Sequence, residues 1–196
     1  MLMPNLMAFL SYIFITTFTP GPNVIMSMSN AAKYGIKKSF PFNIGVFIGV
    51  AIIMVLSSIF SVTLYKFLPS IKPFMTYIGA GYILYLAWKI FKSKSTPDKE
   101  EGQTTTSIAS GLLLQFLNPK VIIFCITTVT TFIIPYYDSL FILFMFSLAI
   151  AFSCLIATLC WALFGSVFQR ILVKRERLIN TLMALLLVYC AVSLFL

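Results

Sequence analysis

Six long apolar stretches run the length of the chain, at about 6–32, 39–64, 73–91, 107–134, 137–168 and 178–196, and the polar and basic residues fall almost wholly between them. A helix crossing a bilayer needs about 20 predominantly apolar residues. The third and sixth stretches are near that minimum, while the first, fourth and fifth are long enough to be tilted or broken. The pattern predicts six membrane-spanning helices. Two of them are interrupted, the first at Thr19-Pro20-Gly21-Pro22-Asn23 and the fourth at Leu117-Asn118-Pro119-Lys120. Pro22 and Pro119 stand 97 positions apart, half of the 196-residue chain, and at that offset Val24 falls on Val121 and Ile25 on Ile122. Three spans per half force the second half into the membrane in the opposite sense. The expected fold is therefore an all-α integral membrane protein of six transmembrane helices, built as two inverted three-helix repeats with spans one and four broken at proline. It forms a single membrane domain over 1–196, with a first repeat at about 1–92, a polar tether at about 93–106 and a second repeat at about 107–196.

Composition agrees with this pattern. The chain is 60% hydrophobic and 10% charged, whereas charged residues make up roughly a quarter of a soluble domain. The net charge of +9 would suggest a nucleic-acid partner if it were clustered on a soluble surface, but its placement has another explanation. Lys33, Lys37 and Lys38 follow span one, Lys89, Lys92, Lys94 and Lys99 follow span three, and Arg170, Lys174, Arg175 and Arg177 follow span five. The opposite side holds Lys66 and Lys72. That bias predicts cytoplasmic odd-numbered loops and both termini outside, with no nucleic-acid partner and with membrane lipid around the spans. The N-terminus carries no basic leader or small-residue cleavage site, so span one is expected to be retained. Cys125, Cys154, Cys160 and Cys190 lie inside apolar stretches without a C-x-x-C pair, which reads as packing rather than disulfide or metal ligation.

The breaks carry the candidate chemistry. A helix-interior proline lacks an N–H and clashes with the carbonyl four residues earlier, so Pro20, Pro22 and Pro119 free the carbonyls of Thr16, Phe18 and Gln115. Gly21 adds backbone freedom between the two prolines. Unpaired carbonyls cost several kcal/mol each in hydrocarbon, so a break is tolerated only inside protein or beside a wet cavity. Each half-helix start presents N–H groups and partial positive charge to an anion, and freed carbonyls suit an ammonium group or cation. A zwitterion matches both. Asn23 and Asn118 flank the breaks and can donate and accept hydrogen bonds. Lys120 is the one charge well inside a span; it reads either as a substrate contact or as a side chain snorkelling to cytoplasmic water. The candidate substrate-binding set is Thr19, Pro20, Gly21, Pro22, Asn23, Asn43, Gln115, Asn118, Pro119 and Lys120. Gly45 and Gly49 form a G-x-x-x-G pair expected to mark close helix packing, with Asn43 the nearer contributor to a site. Ser27, Asn30, Thr127 and Thr128 follow the breaks, and each reads equally as pathway lining or as a local cap. Tyr82, Tyr85 and Trp88 fit an interfacial aromatic belt.

Three segments resemble landmarks of the lysine-exporter (LysE/RhtB) family: Pro20-Gly21-Pro22-Asn23 with Lys33-Tyr34-Gly35, then Gly79-Ala80-Gly81-Tyr82-Ile83-Leu84-Tyr85-Leu86, then Gln115-Phe116-Leu117-Asn118-Pro119-Lys120. The resemblance covers nearly the whole chain. It implies a bacterial inner-membrane, multi-pass secondary transporter that exports amino acids or similar small zwitterions, coupled to the proton or sodium gradient. Many members carry Pro-Gln before the phenylalanine that closes the fourth span, where this chain has Thr130-Thr131-Phe132. Substrate, coupling ion and oligomeric state, homo-oligomer included, stay open.

Other functions are less well served. No G-x-x-x-x-G-K-[ST] loop is present, so the chain does not itself use ATP, and no catalytic residues, metal or cofactor are expected. A heavy-metal exporter would draw on His, Cys and carboxylates, but the chain has no histidine and Asp98, Glu100, Glu101, Asp138 and Glu176 fall in loops or at membrane edges. A membrane thiol–disulfide electron carrier would need two sulfurs in contact, and Cys125 near the second break is matched by Met28 near the first. A structural or chaperone-like subunit is the bland alternative.

Overall fold

The computed structural model describes residues 6–92, 105–167 and 176–195, and every regular element among them is helical. Helices α1 (Leu6–Phe18) and α2 (Pro22–Tyr34) flank the first break, followed by α3 (Ile36–Ile59) and α4 (Ser61–Lys92). The second half supplies α5 (Ile108–Leu117), α6 (Pro119–Thr127) running into a π-helical turn (Thr128–Ile133), then α7 (Leu140–Val167) and α8 (Glu176–Val192). Of the expected tether only Thr105 and Thr106 are described; Lys94, Lys99, the acidic trio 98, 100 and 101, Arg170, Lys174 and Arg175 lie outside the described residues.

Among the described helices, α3 and α7 are each long and apolar enough to cross a membrane. The pair α5 and α6, extended by its π turn, meets the same test as one span bent by 70°. Large apolar side chains face outward all round, among them Leu10, Phe14, Phe141, Phe152 and Leu185. So much exposed apolar surface suits lipid, not water.

The two proline breaks fall where the sequence places them, because each proline opens a new helix at its first position, where the missing N–H costs nothing. The connection between stretches two and three differs from expectation. A loop was expected near 65–72, but the backbone stays helical from Ser61 to Lys92 through Pro69 and Pro73. Composition marks where a chain leaves hydrocarbon, and a helix is free to continue beyond that point. The loop after span one shrinks to Gly35, with φ +82°, a conformation that favours glycine. Lys37 and Lys38 then stand exposed in the first turn of α3.

Helix α3 is the spine. It packs along α5 on one side and along α7 and α2 on the other, while α4 pairs with α8. The α3–α5 contact is a backbone-to-backbone approach. A Cβ on Gly45 would overlap the carbonyl of Ile108, one on Gly111 would overlap the carbonyl of Phe42, and one on Gly49 would strike the side chain of Gln115. Small residues let membrane helices come this close, since packing drives their association. Gly165 makes the same approach between α7 and the Met28 carbonyl of α2. The expected packing role of Gly45 and Gly49 is what the geometry shows.

Gly45→Ala should therefore lower stability by about 1–3 kcal/mol through overpacking. Gly81→Ala, whose Cβ meets nothing within 4 Å, should be neutral or gain up to about 1 kcal/mol from helix propensity. Thermal unfolding in detergent measures both, and equal effects would remove the close-approach argument.

Candidate functional site

Each break opens a helix start, and the fold brings both starts to one pocket. Its wall comes from four places: Thr16, Thr17 and Thr19 at the end of α1; Gly21, Pro22, Asn23 and Val24 at the start of α2; Asn118, Lys120, Val121 and Phe124 around the second break; and Cys154 and Thr158 on α7. Six of the ten residues singled out from the sequence line it: Thr19, Gly21, Pro22, Asn23, Asn118 and Lys120.

The two asparagines do different work. Asn118 caps its own helix, its Oδ1 accepting from the Lys120 N–H at 3.1 Å. That bond satisfies one of the donors a helix start leaves open. Helix α2 begins at Gly21 with no side-chain cap, so its first turn faces the pocket without a competing internal acceptor. Asn23 reaches across to the other half of the chain. Its Nδ2 donates to Gln115 Oε1 at 2.7 Å, and Gln115 Nε2 donates back to Asn23 Oδ1 at 3.1 Å. Gln115 Nε2 also donates to the Gly111 carbonyl at 2.7 Å. Gln115 thus stands behind the pocket wall, fully buried, and clasps the two breaks together.

Three carbonyls at the breaks find partners across the fold or within it. The Phe18 carbonyl accepts from Trp161 Nε1 at 3.3 Å. The Gln115 carbonyl accepts from the Asn118 N–H at 3.3 Å. The Thr19 carbonyl receives Lys120 Nζ at 3.4 Å. The ammonium at the start of α6 is thus directed at the first break.

Asn43 lies outside the pocket lining. It is fully buried one layer back: its Nδ2 donates to the Ser39 carbonyl at 3.1 Å, and its Oδ1 faces the Ser27 hydroxyl. The Ser27 hydroxyl is also 2.8 Å from the Thr158 carbonyl, so this cluster ties α2 and α3 to the pocket-lining turn of α7. Pro20 and Pro119 likewise stay off the wall. Asn30 donates to the Thr105 carbonyl at 2.9 Å, and Thr128 bonds back to the Phe124 carbonyl at 2.6 Å as a local cap.

Several wall residues escaped the sequence reading. Thr16 and Thr17 carried a signal, as hydroxyls in an apolar span just before a proline. Cys154 and Thr158 share one face of α7 by their four-residue spacing, but only packing turns that face to the breaks. Phe124 is braced by the Tyr12 ring at 5.7 Å, which also stacks on Phe132 at 5.5 Å. Phe132 belongs to the π turn, an element that marks functional sites more often than chance and that no periodicity announced. The four cysteines are free thiols, and among the described residues no group of three His, Cys, Asp or Glu is placed to hold a metal.

The family model of the LysE type translocator matches residues 14–196. Two curated relatives, the cysteine/O-acetylserine efflux proteins of Escherichia coli (strain K12) and of Shigella flexneri serotype 5b (strain 8401), are each 38% identical to this chain over 192 residues, covering 97% of it and 97% of their own length. No solved structure matches it.

The Asn23–Gln115 clasp can be weighed directly. Asn23→Ala should destabilise by about 1–3 kcal/mol, since it strips the buried Gln115 Oε1 of its donor, and Gln115→Ala by about 1 kcal/mol or more, since it removes both partners of the half-buried Asn23 amide. The double variant should cost about 1 kcal/mol or more less than the sum of the singles. Strict additivity in a denaturation cycle would show that the amides are not coupled.

Proposed function

The chain belongs to the LysE type translocator family, and from that footing we propose that it is a secondary transporter exporting small neutral amino acids, of the cysteine and O-acetylserine class, across the bacterial inner membrane. The efflux relatives support amino-acid export and a multi-pass membrane location. The observation that carries the reading is that two proline breaks, half a chain apart, face one pocket with an ammonium between them.

The geometry suits a zwitterion. The uncapped start of α2 and the Lys120 ammonium together favour a carboxylate, one through backbone N–H groups and helix charge, the other as a point charge. The Thr19 carbonyl, the Asn23 and Asn118 side chains and the hydroxyls of Thr16, Thr17 and Thr158 offer acceptors for an α-ammonium. None of the lining residues is acidic, so a basic side chain would enter without a counter-ion. Val24, Val121, Phe124 and Cys154 leave room for a short, weakly polar side chain.

The proposed architecture is a single membrane domain of two inverted repeats. Its support is the pairing of helices. Helix α3 lies against the broken span of the second half, α7 lies against the broken span of the first, and the third members, α4 and α8, lie against each other. Exchanging the halves preserves that scheme. The lysine distribution supports cytoplasmic odd-numbered loops and termini outside. The exposed ring of Trp88 carries Lys92 Nζ 4.4 Å from its centroid, an arrangement suited to the headgroup level.

Two experiments test this. Cells expressing the chain should export labelled cysteine and O-acetylserine above lysine or arginine, and Asn23→Ala and Asn118→Ala should reduce that export about tenfold or more while remaining in the membrane, since a lost hydrogen bond to a charged group is worth roughly 1.5–3 kcal/mol. Export within a few-fold of wild type in both variants would reduce the breaks to simple kinks. For orientation, a cysteine introduced at Lys37 should label only after permeabilisation and one at Asp138 in intact cells; the reverse pattern would invert the topology.

A further inference from the structure

The first break leaves two carbonyls facing the second half of the chain, and they are met by donors of different kinds. Phe18 is held by the Trp161 indole at 3.3 Å, a neutral group on a rigid ring. Thr19 is met by Lys120 Nζ at 3.4 Å, a cation on a flexible four-carbon stem with three donors. The lysine reaches it by passing close to Gly21. A Cβ there would stand 3.2 Å from Lys120 Nζ and 3.7 Å from its Cδ, so the lysine lies across the glycine to reach the carbonyl. An ammonium donating to a backbone carbonyl of the pocket is also the contact that the α-ammonium of an amino acid would make.

We infer that Lys120 is a tethered occupant of the substrate's ammonium subsite: in the empty pocket its Nζ holds the Thr19 carbonyl, and an entering zwitterion takes that carbonyl with its own ammonium while Lys120 swings to the substrate carboxylate. No bond is made or broken and no proton changes hands; one ammonium replaces another. This deepens the transporter reading above and rests on its account of the site.

The swap has a physical advantage and a selective consequence. The Thr19 carbonyl keeps a cationic donor whether the pocket is empty or loaded. Selection follows from what an incomplete ligand loses. A simple amine must compete with a lysine whose tether makes it equivalent to a free competitor at about millimolar concentration or above. A simple carboxylate draws Lys120 away and leaves the carbonyl unpaired. Only a molecule carrying both groups completes the exchange. No lining residue is acidic, so no carboxylate of the pocket wall competes for the lysine.

The test uses the full chain purified in detergent, with ligand-induced thermal stabilisation as the readout and ethylammonium chloride as the probe, against equal sodium chloride. In Lys120→Met the subsite is vacated, and ethylammonium should stabilise the protein at a concentration at least tenfold lower than it needs in wild type. Gly21→Ala keeps the lysine and asks its tip to give by only a few tenths of an ångström, so its midpoint should stay close to that of wild type. The same ethylammonium midpoint in wild type and Lys120→Met, or no stabilisation of that variant, overturns the inference. Should Lys120→Met fail to fold, Lys120→Gln, which also removes the cation, takes its place, and an unchanged midpoint there overturns the inference. Because the readout is binding and not transport, failure of the export reading is seen separately, as absent O-acetylserine export in cells whose purified protein still shows the ethylammonium difference.

Discussion

The constraint on which this molecule turns is that a broken backbone inside a membrane must find its hydrogen bonds within the protein. Two breaks, each freeing carbonyls, would be a liability in separate spans facing lipid. Brought face to face they supply each other. Asn23 and Gln115 exchange two hydrogen bonds across the halves, Lys120 from the second break meets the Thr19 carbonyl of the first, and Trp161 takes the Phe18 carbonyl. The pocket exists because these contacts hold both helix starts on one cavity.

Packing enforces that encounter. The glycines of α3 and α5 bring two backbones into contact along the length that carries Gln115, and Gly165 does the same for α7 against α2. Helices that approach this closely have little freedom to slide, so the amides are held in register rather than finding each other by chance. The buried cluster of Ser27, Asn43 and the Thr158 carbonyl then ties the pocket wall to the central helix. Polar groups are thus layered: an inner set open to the pocket and an outer set that is fully paired and holds the inner one in place. This is the division of labour expected of a binding site built on helices in hydrocarbon, where every unpaired group is costly.

The same arrangement bears on transport. Family membership and the efflux relatives point to amino-acid export, and the pocket draws its lining from both halves of the chain. The wall contributes no carboxylate, so Lys120 is the pocket's charged group. The charge of the lining is thus a single lysine beside two helix starts.

Much of this was legible in the residues alone. Apolar length determined that the chain belongs in a membrane, and proline chemistry determined where the spans break, since a missing N–H has the same consequence in any fold. The G-x-x-x-G spacing marked the close helix contact, and six wall residues were named from the breaks themselves. What only the tertiary structure decided is which groups meet across distance in sequence. Gln115 beside the second break and Asn43 in α3 are both polar, yet they work behind the wall, because position along a helix does not reveal which neighbour a side chain faces. Cys154, Thr158 and Trp161 join the site from α7, and the π turn swings Phe132 under Tyr12, with no local pattern to announce either. The helix running through Pro69 and Pro73 escaped for a related reason: composition records what surrounds a residue, and it does not record whether the backbone there stays coiled. Local chemistry sets where a chain must bend and what it must hide; only packing, which sums many weak contacts between distant segments, sets what the bends are brought to face.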